Sequence, residues 1–285
     1  MVNRFAHRFA PALAACFGLA LAGAACTAAP AREAGRTLPT LVSLNPCTDA
    51  ILAEVADPQQ ILGLSAYSSD PAASSMDVRI AQRFPALAGT VEEVAVLRPD
   101  VVVGGTFMAP ATVGSLGAMG FRVEQFGIAS TVGESEAQVR RLAALAGHPE
   151  RGAALAARIE TALAANRAPA GAAVPAIVWQ SGGIVPGSGT LITDLLARTG
   201  FINAAAAQGM KQADVLPLER MIAAPPRVIF AAGNPAANED RLLTHPALAS
   251  LADTRRERLD PALLWCGGPT IVRAVNRLGA ARRSL

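Results

Sequence analysis

The chain has 285 residues, 52% hydrophobic and 16% charged, enough to bury one large core or two modest ones and too apolar for a disordered chain. Aromatic residues make up 4%, which excludes a binding site built as a dense aromatic cage. The formal charge is +3, from 25 basic and 22 acidic residues; without Arg4 and Arg8 of the leader it becomes 23 against 22, or +1. A near-neutral chain without basic runs is a poor nucleic-acid binder.

Residues 1–26 carry the three parts of a secretory signal: Arg4 and Arg8, an apolar stretch over 9–22, then small residues. Ala22-Gly23-Ala24 fits a small-x-small cleavage site, and Ala24-Ala25-Cys26 resembles a bacterial lipoprotein site with Cys26 taking the lipid. The expectation is a periplasmic protein exported by this signal, either lipid-anchored or free. No later stretch reaches the ~18 apolar residues that span a bilayer. Residues 27–38 read as a tether. Cys16 belongs to the leader and Cys26 to its end, leaving Cys47 and Cys266, 219 residues apart. In an oxidising compartment two lone thiols often pair.

Residues 40–44 read as a short buried strand. Asn45-Pro46 supplies an N-cap and a proline at the first helical position, opening a helix to about Val55. Strands are expected at 61–64, 101–103 and 122–126, with helical patterns at 91–97 and 111–119 between them. The stretch 134–165 is helical with one break at Gly147-His148-Pro149. Alternation then resumes, with strands at 176–180, 227–230 and 257–259, a helix at 191–197 and a last helix from Pro269. Short apolar strands alternating with helices imply parallel sheets covered on both faces. The layout is an N-terminal α/β lobe over 39–147, a linking helix over 148–168 and a C-terminal α/β lobe over 169–285. An internal repeat supports two similar lobes: residues 91–94 and 99–103 align without a gap on 218–221 and 226–230, a constant offset of 127 residues.

Seven segments, in order and with their spacing, carry a resemblance: LVSLNPCTDAILAEV, ILGLSAYSSDP, VEEVAVLRPDVVVGG, LITDLLARTGFINAA, LPLERMIAAPPRVIFAAG, LLTHPALASL and GGPTIVRAVNRLGAA. From about residue 39 to 285 the chain resembles the class III, helical-backbone periplasmic substrate-binding proteins of ABC importers, the ferric-siderophore and cobalamin family. The resemblance implies two α/β lobes with parallel sheets joined by one long rigid helix, with the ligand in the cleft between them. It implies a monomer with no intrinsic cofactor that binds a small metal chelate, a ferric siderophore or a corrinoid, and delivers it to the transmembrane permease dimer. It also implies that Glu92 and Glu219, one per lobe, dock into the permease. Thr90-x-x-Glu93 forms a capping box that leaves Glu92 free. The bland alternative for both acids is a favourable charge in a helix's first turn.

Ligands of open parallel sheets sit beyond the carboxyl ends of the strands. Those ends carry Asn45, Cys47, Tyr67, Phe107, Trp179 and Gln180, with Trp265 and Cys266 before the last helix. The aromatic residues among them suit planar chelates, although a tryptophan ending a strand is as often core. Cys47 and Cys266 have three readings: a disulfide tying the lobes across one end of the cleft, cleft thiols that contact ligand, or neither. Arg79 and Arg83 could meet an anionic siderophore, but on a helix they are more often solvated. Gly187-Ser188-Gly189-Thr190 reads as a structural turn. Heme would need a histidine or tyrosine axial ligand, for which only Tyr67 is placed. Direct metal binding is not expected, because no histidine or cysteine cluster has metal spacing. The chain is read as a binding protein and not an enzyme. The alternative from another class is an exported bilobal enzyme, chelatase-like or thiol-redox, using Cys47 and Cys266.

Overall fold

The computed structural model of the protein describes residues 38–168, 171–233 and 245–285. The leader, Cys16, Cys26 and the tether to residue 37 lie outside the described residues.

The first strand, β1 (Leu41–Ser43), is buried along its whole length. It feeds α1 (Pro46–Val55), whose start is fixed by Asn45. The Asn45 side-chain oxygen accepts from the backbone N–H of Cys47 at 2.8 Å and of Thr48 at 3.3 Å. Pro46 adds a preset helical φ where no hydrogen bond is lost. Next come β2 (Ile61–Ser65), α2 (Val78–Ala81) and β3 (Ala86–Leu87). The expected capping box opens α3 (Val91–Leu97): Thr90 Oγ1 accepts from Glu93 N–H at 3.3 Å, and the Glu93 carboxylate accepts from Thr90 N–H at 3.0 Å. With β4 (Val101–Gly105), α4 (Pro110–Ala118) and β5 (Arg122–Phe126) the lobe holds a five-stranded parallel sheet, ordered β3-β2-β1-β4-β5. The chain leaves β1 towards β2 on one side and later lays β4 against its other side. That reversal opens a crevice above the carboxyl ends of β1 and β4.

Two helices follow, α5 (Val132–Leu145) and α6 (Pro149–Ala165), broken at the expected Gly147-His148-Pro149. The 17 residues of α6 span about 25 Å. It packs on α1 and α5 from the first lobe and on α10 (Thr270–Arg283) from the second. Close approach to α5 depends on Gly152, where a Cβ would come within 2.5 Å of Ala143 Cβ.

The second lobe contains β6 (Val174–Gln180), β7 (Ile184–Val185), α7 (Leu191–Arg198), β8 (Phe201–Asn203), α8 (Ala204–Ala207), β9 (Asp214–Val215), α9 (Leu218–Ala223), β10 (Val228–Ala232) and β11 (Arg255–Arg258). Its main sheet is parallel, ordered β11-β10-β6-β8. This is the order β5-β4-β1-β2 of the first lobe again. The repeat holds element by element: α3 and α9 begin at 91 and 218, β4 and β10 at 101 and 228, each 127 residues apart. One departure from an all-parallel layout is the small antiparallel ribbon of β7 with β9.

The largest buried cluster runs from Leu41 and Ile51 through Ile159 of α6 to Phe230 and Ala274. Phe201 and Phe230 meet edge to face within it, with centroids 5.3 Å apart. The lobes therefore share one continuous core along the helix that joins them.

Candidate functional site between the lobes

A cavity of about 370 Å³ lies where the two reversal points face each other, at the small end of sites for organic ligands. From the first lobe, Asn45, Cys47 and Thr48 reach it after β1, Phe107 after β4, and Phe126 to Ala129 at the end of β5. From the second lobe come Gln180 at the end of β6, Pro186 after β7, Thr190 to Ile192 at the start of α7, and Gln212 with Ala213 before β9. Leu264, Trp265 and Gly267 close the wall ahead of α10. Phe107 is 79% exposed and Trp265 41%.

Among the described residues of this lining, none is charged. Polarity comes from amides and hydroxyls. Some are already engaged: Asn45 caps α1, Gln138 Nε2 donates to the Gly127 carbonyl at 2.8 Å, and Thr190 Oγ1 donates to the Gly187 carbonyl at 2.8 Å. The side chains of Gln180 and Gln212 make no hydrogen bond among the described residues. Cys47 and Cys266 are joined by a disulfide, with their Cα atoms 5.0 Å apart.

The sequence profile of the periplasmic binding protein family matches residues 41–258. The chain belongs to that family. Solved structures share its fold across nearly their full length. The heme-binding protein RhuT of Roseiflexus sp. RS-1 superposes with a TM-score of 0.67 at 23% identity, covering 86% of this chain and 98% of that one. The heme-binding protein HutB of Vibrio cholerae gives 0.71 at 16% identity, with 85% and 98% covered. The vitamin B12 binding protein BtuF of Vibrio cholerae gives 0.64 at 17% identity, with 87% and 97% covered. At such identities the likeness shows the fold and leaves the ligand to the site itself. No curated protein sequence matches the chain significantly.

As a periplasmic binding protein the chain binds for transport and is not an enzyme. Of the residues expected at the cleft, Asn45, Cys47, Phe107, Gln180 and Trp265 line the cavity of this binding protein. Cys266 is only 3% exposed and stands behind its partner sulfur.

Two of the expected residues stand outside the cavity lining. Trp179 is fully buried and packs with Ile177, Met210 and Met221 in the second-lobe core. Strand alternation explains it: Ile177 and Trp179 share the face of β6 turned away from the joining helix, and only Gln180 at the strand end reaches the cleft. Tyr67 is 67% exposed on the turn Ala66–Ser69 and lies outside the cavity wall. That turn follows β2, on the opposite side of β1 from β4 and β5, whose ends form the site. Arg79 pairs with Asp77 on the surface at 2.9 Å, away from the cavity.

Glu92 and Glu219 are both exposed, in the first turns of the matched helices α3 and α9. Backbone N–H groups of Thr90 and Ala88 hold the neighbouring Glu93 carboxyl below the usual range, so capping falls to Glu93 and leaves Glu92 outward.

One group beside the site was not foreseen. Asp49, in the first turn of α1, is buried; its Oδ2 accepts from Ser65 N–H at 2.9 Å and Ser68 Oγ at 2.6 Å, while Oδ1 has no partner. Burial pushes its pKa up to about 8, against the opposing pull of these hydrogen bonds. Asp49 thus fastens the loop after β2 to α1 through its two contacts. No signal in the sequence distinguishes it from an ordinary first-turn aspartate.

Proposed function

We propose that this binding protein captures an uncharged metal chelate between its lobes and delivers it to the transmembrane dimer of an ABC importer. The observation that carries the reading is the cavity lining, which comes from both lobes and holds no charged side chain among the described residues. An anionic chelate entering such a wall would leave its charge unpaired and partly desolvated. A neutral ferric tris-hydroxamate siderophore avoids that cost. So does a corrinoid, whose peripheral amides match the free amides of Gln180 and Gln212. Heme fits less well despite the heme-binding relatives, because the described lining offers its carboxylates no cationic partner and its iron no histidine or tyrosine.

Delivery is assigned to Glu92 and Glu219, an exposed pair repeated on the two lobes that can set orientation on a permease through complementary charge. The N-terminal signal and the lipid site at Cys26 belong to the same reading: an exported monomer, free or lipid-anchored, that meets the membrane only through that lipid or the permease.

Tryptophan fluorescence tests capture, since Trp265 stands in the wall while Trp179 is buried. Saturable quenching by cyanocobalamin or a neutral ferric tris-hydroxamate at micromolar or tighter affinity is expected. Quenching by heme or an anionic ferric tris-catecholate alone would contradict the charge argument.

A further inference from the structure

The segment from Pro261 to Arg273 belongs to the second lobe in sequence yet is fastened to the first. Ser75 Oγ donates to the Ala262 carbonyl at 3.0 Å. Thr270 Oγ1, at 3.3 Å, and the Arg273 guanidinium both donate to the Ser75 carbonyl. The Gly268 N–H donates to Ser135 Oγ at 2.7 Å, and a side chain at Gly268 would meet Ile51 Cγ1 at 2.6 Å. Between these anchors Leu264 and Trp265 form cavity wall. The anchor nearest that wall is covalent, the Cys47–Cys266 disulfide. Its two sulfurs differ in access: Cys47 is half-buried and lines the cavity, whereas Cys266 is buried.

We propose that this disulfide is a reducible strap holding the Trp265 wall across the cleft, and that a bound chelate shields it, so that the loaded carrier stays oxidised while the empty one is open to a dithiol reductant. The shielding half rests on the capture reading above. A thiolate of the dithiol attacks Cys47 Sγ, the sulfur facing the cavity, and the S–S bond breaks. Cys266 leaves as a thiolate and takes up a proton. The second thiol of the reductant then attacks the mixed disulfide, freeing Cys47 as a thiol and closing the reductant to its own disulfide. Two electrons and two protons pass to the protein.

The test uses the intact protein reduced with dithiothreitol. Thiols at Cys47 and Cys266 are counted over time, with and without saturating cyanocobalamin or the gallium(III) form of a neutral tris-hydroxamate, which the dithiol does not reduce. Hydrogen exchange over 261–273 and Trp265 emission are followed alongside. The expected result is at least tenfold slower reduction of the loaded protein, with faster exchange and red-shifted emission once the bond is cut. Equal reduction rates in loaded and empty protein, or exchange and emission unchanged by reduction, would overturn the proposal. If neither probe binds, the capture reading has failed and the strap stands or falls on exchange and emission alone. Reduction of the native chain keeps the test open even where a Cys47→Ser, Cys266→Ser variant does not fold.

Discussion

Asp49 carries the sharpest residue-scale consequence. Its folded pKa, about 8, lies above the ordinary carboxyl value of 3.8, so across that interval the folded state holds a proton that the unfolded chain has released. Stability from this group is therefore complete below about pH 4 and is lost as pH rises through 8. Asn at this position keeps the two acceptor contacts without the titration. Thermal melts of wild type and Asp49→Asn should accordingly diverge with pH, the variant gaining relative stability between pH 5 and 8. Parallel curves would show that the acid is not held neutral. Residue-scale reading of the sequence succeeded where local chemistry decides, as at the Asn45 cap and the Thr90–Glu93 box. Where burial decides, the sequence leaves both readings of Trp179 open. Trp179 and Gln180 are neighbours on one strand, yet one is core and the other cavity wall, and only the packing of β6 tells which face is which.

At the scale of elements, most of the chain was legible. The strands beginning near 41, 61, 101, 122, 176 and 228 and the broken helix pair stand where periodicity and turn residues put them. The 127-residue repeat foretold the matched helix and strand starts. Missed were the shortest pieces, β3, β7 and β9 with two residues each and β8 with three, because so few residues show no period. The contact between α5 and α6 was also invisible, since Gly152 reads in sequence as a weak point in a helix. Its closeness to Ala143 predicts the reverse of propensity. Gly152→Ala should destabilise by about 1–3 kcal/mol through overpacking although alanine is the better helix former. Adding Ala143→Gly should recover much of the loss in denaturant melts. A stabilising Gly152→Ala would show that the helices part freely.

For the whole molecule, the shared core along α6 and the cross-lobe ties of residues 261–273 argue for small relative movement of the lobes. The proposed delivery therefore relies on the permease gripping both lobes at once. Glu92→Ala with Glu219→Ala should lower stimulation of the cognate importer's ATPase in proteoliposomes by tenfold or more, while chelate affinity stays within about twofold, because neither side chain touches the cavity. Unaltered stimulation would remove the docking assignment and leave capture standing.

An uncharged chelate is proposed to occupy the cavity between the lobes. Calorimetric titration of cyanocobalamin and a neutral ferric tris-hydroxamate into wild type and the Gln180→Ala, Gln212→Ala variant tests it most directly. One site per chain is expected for one of these ligands, weakened about tenfold or more when the two amides are removed, as the loss of two ligand hydrogen bonds implies. Equal affinity in the variant would put the ligand elsewhere, and no heat from either ligand would contradict the claim.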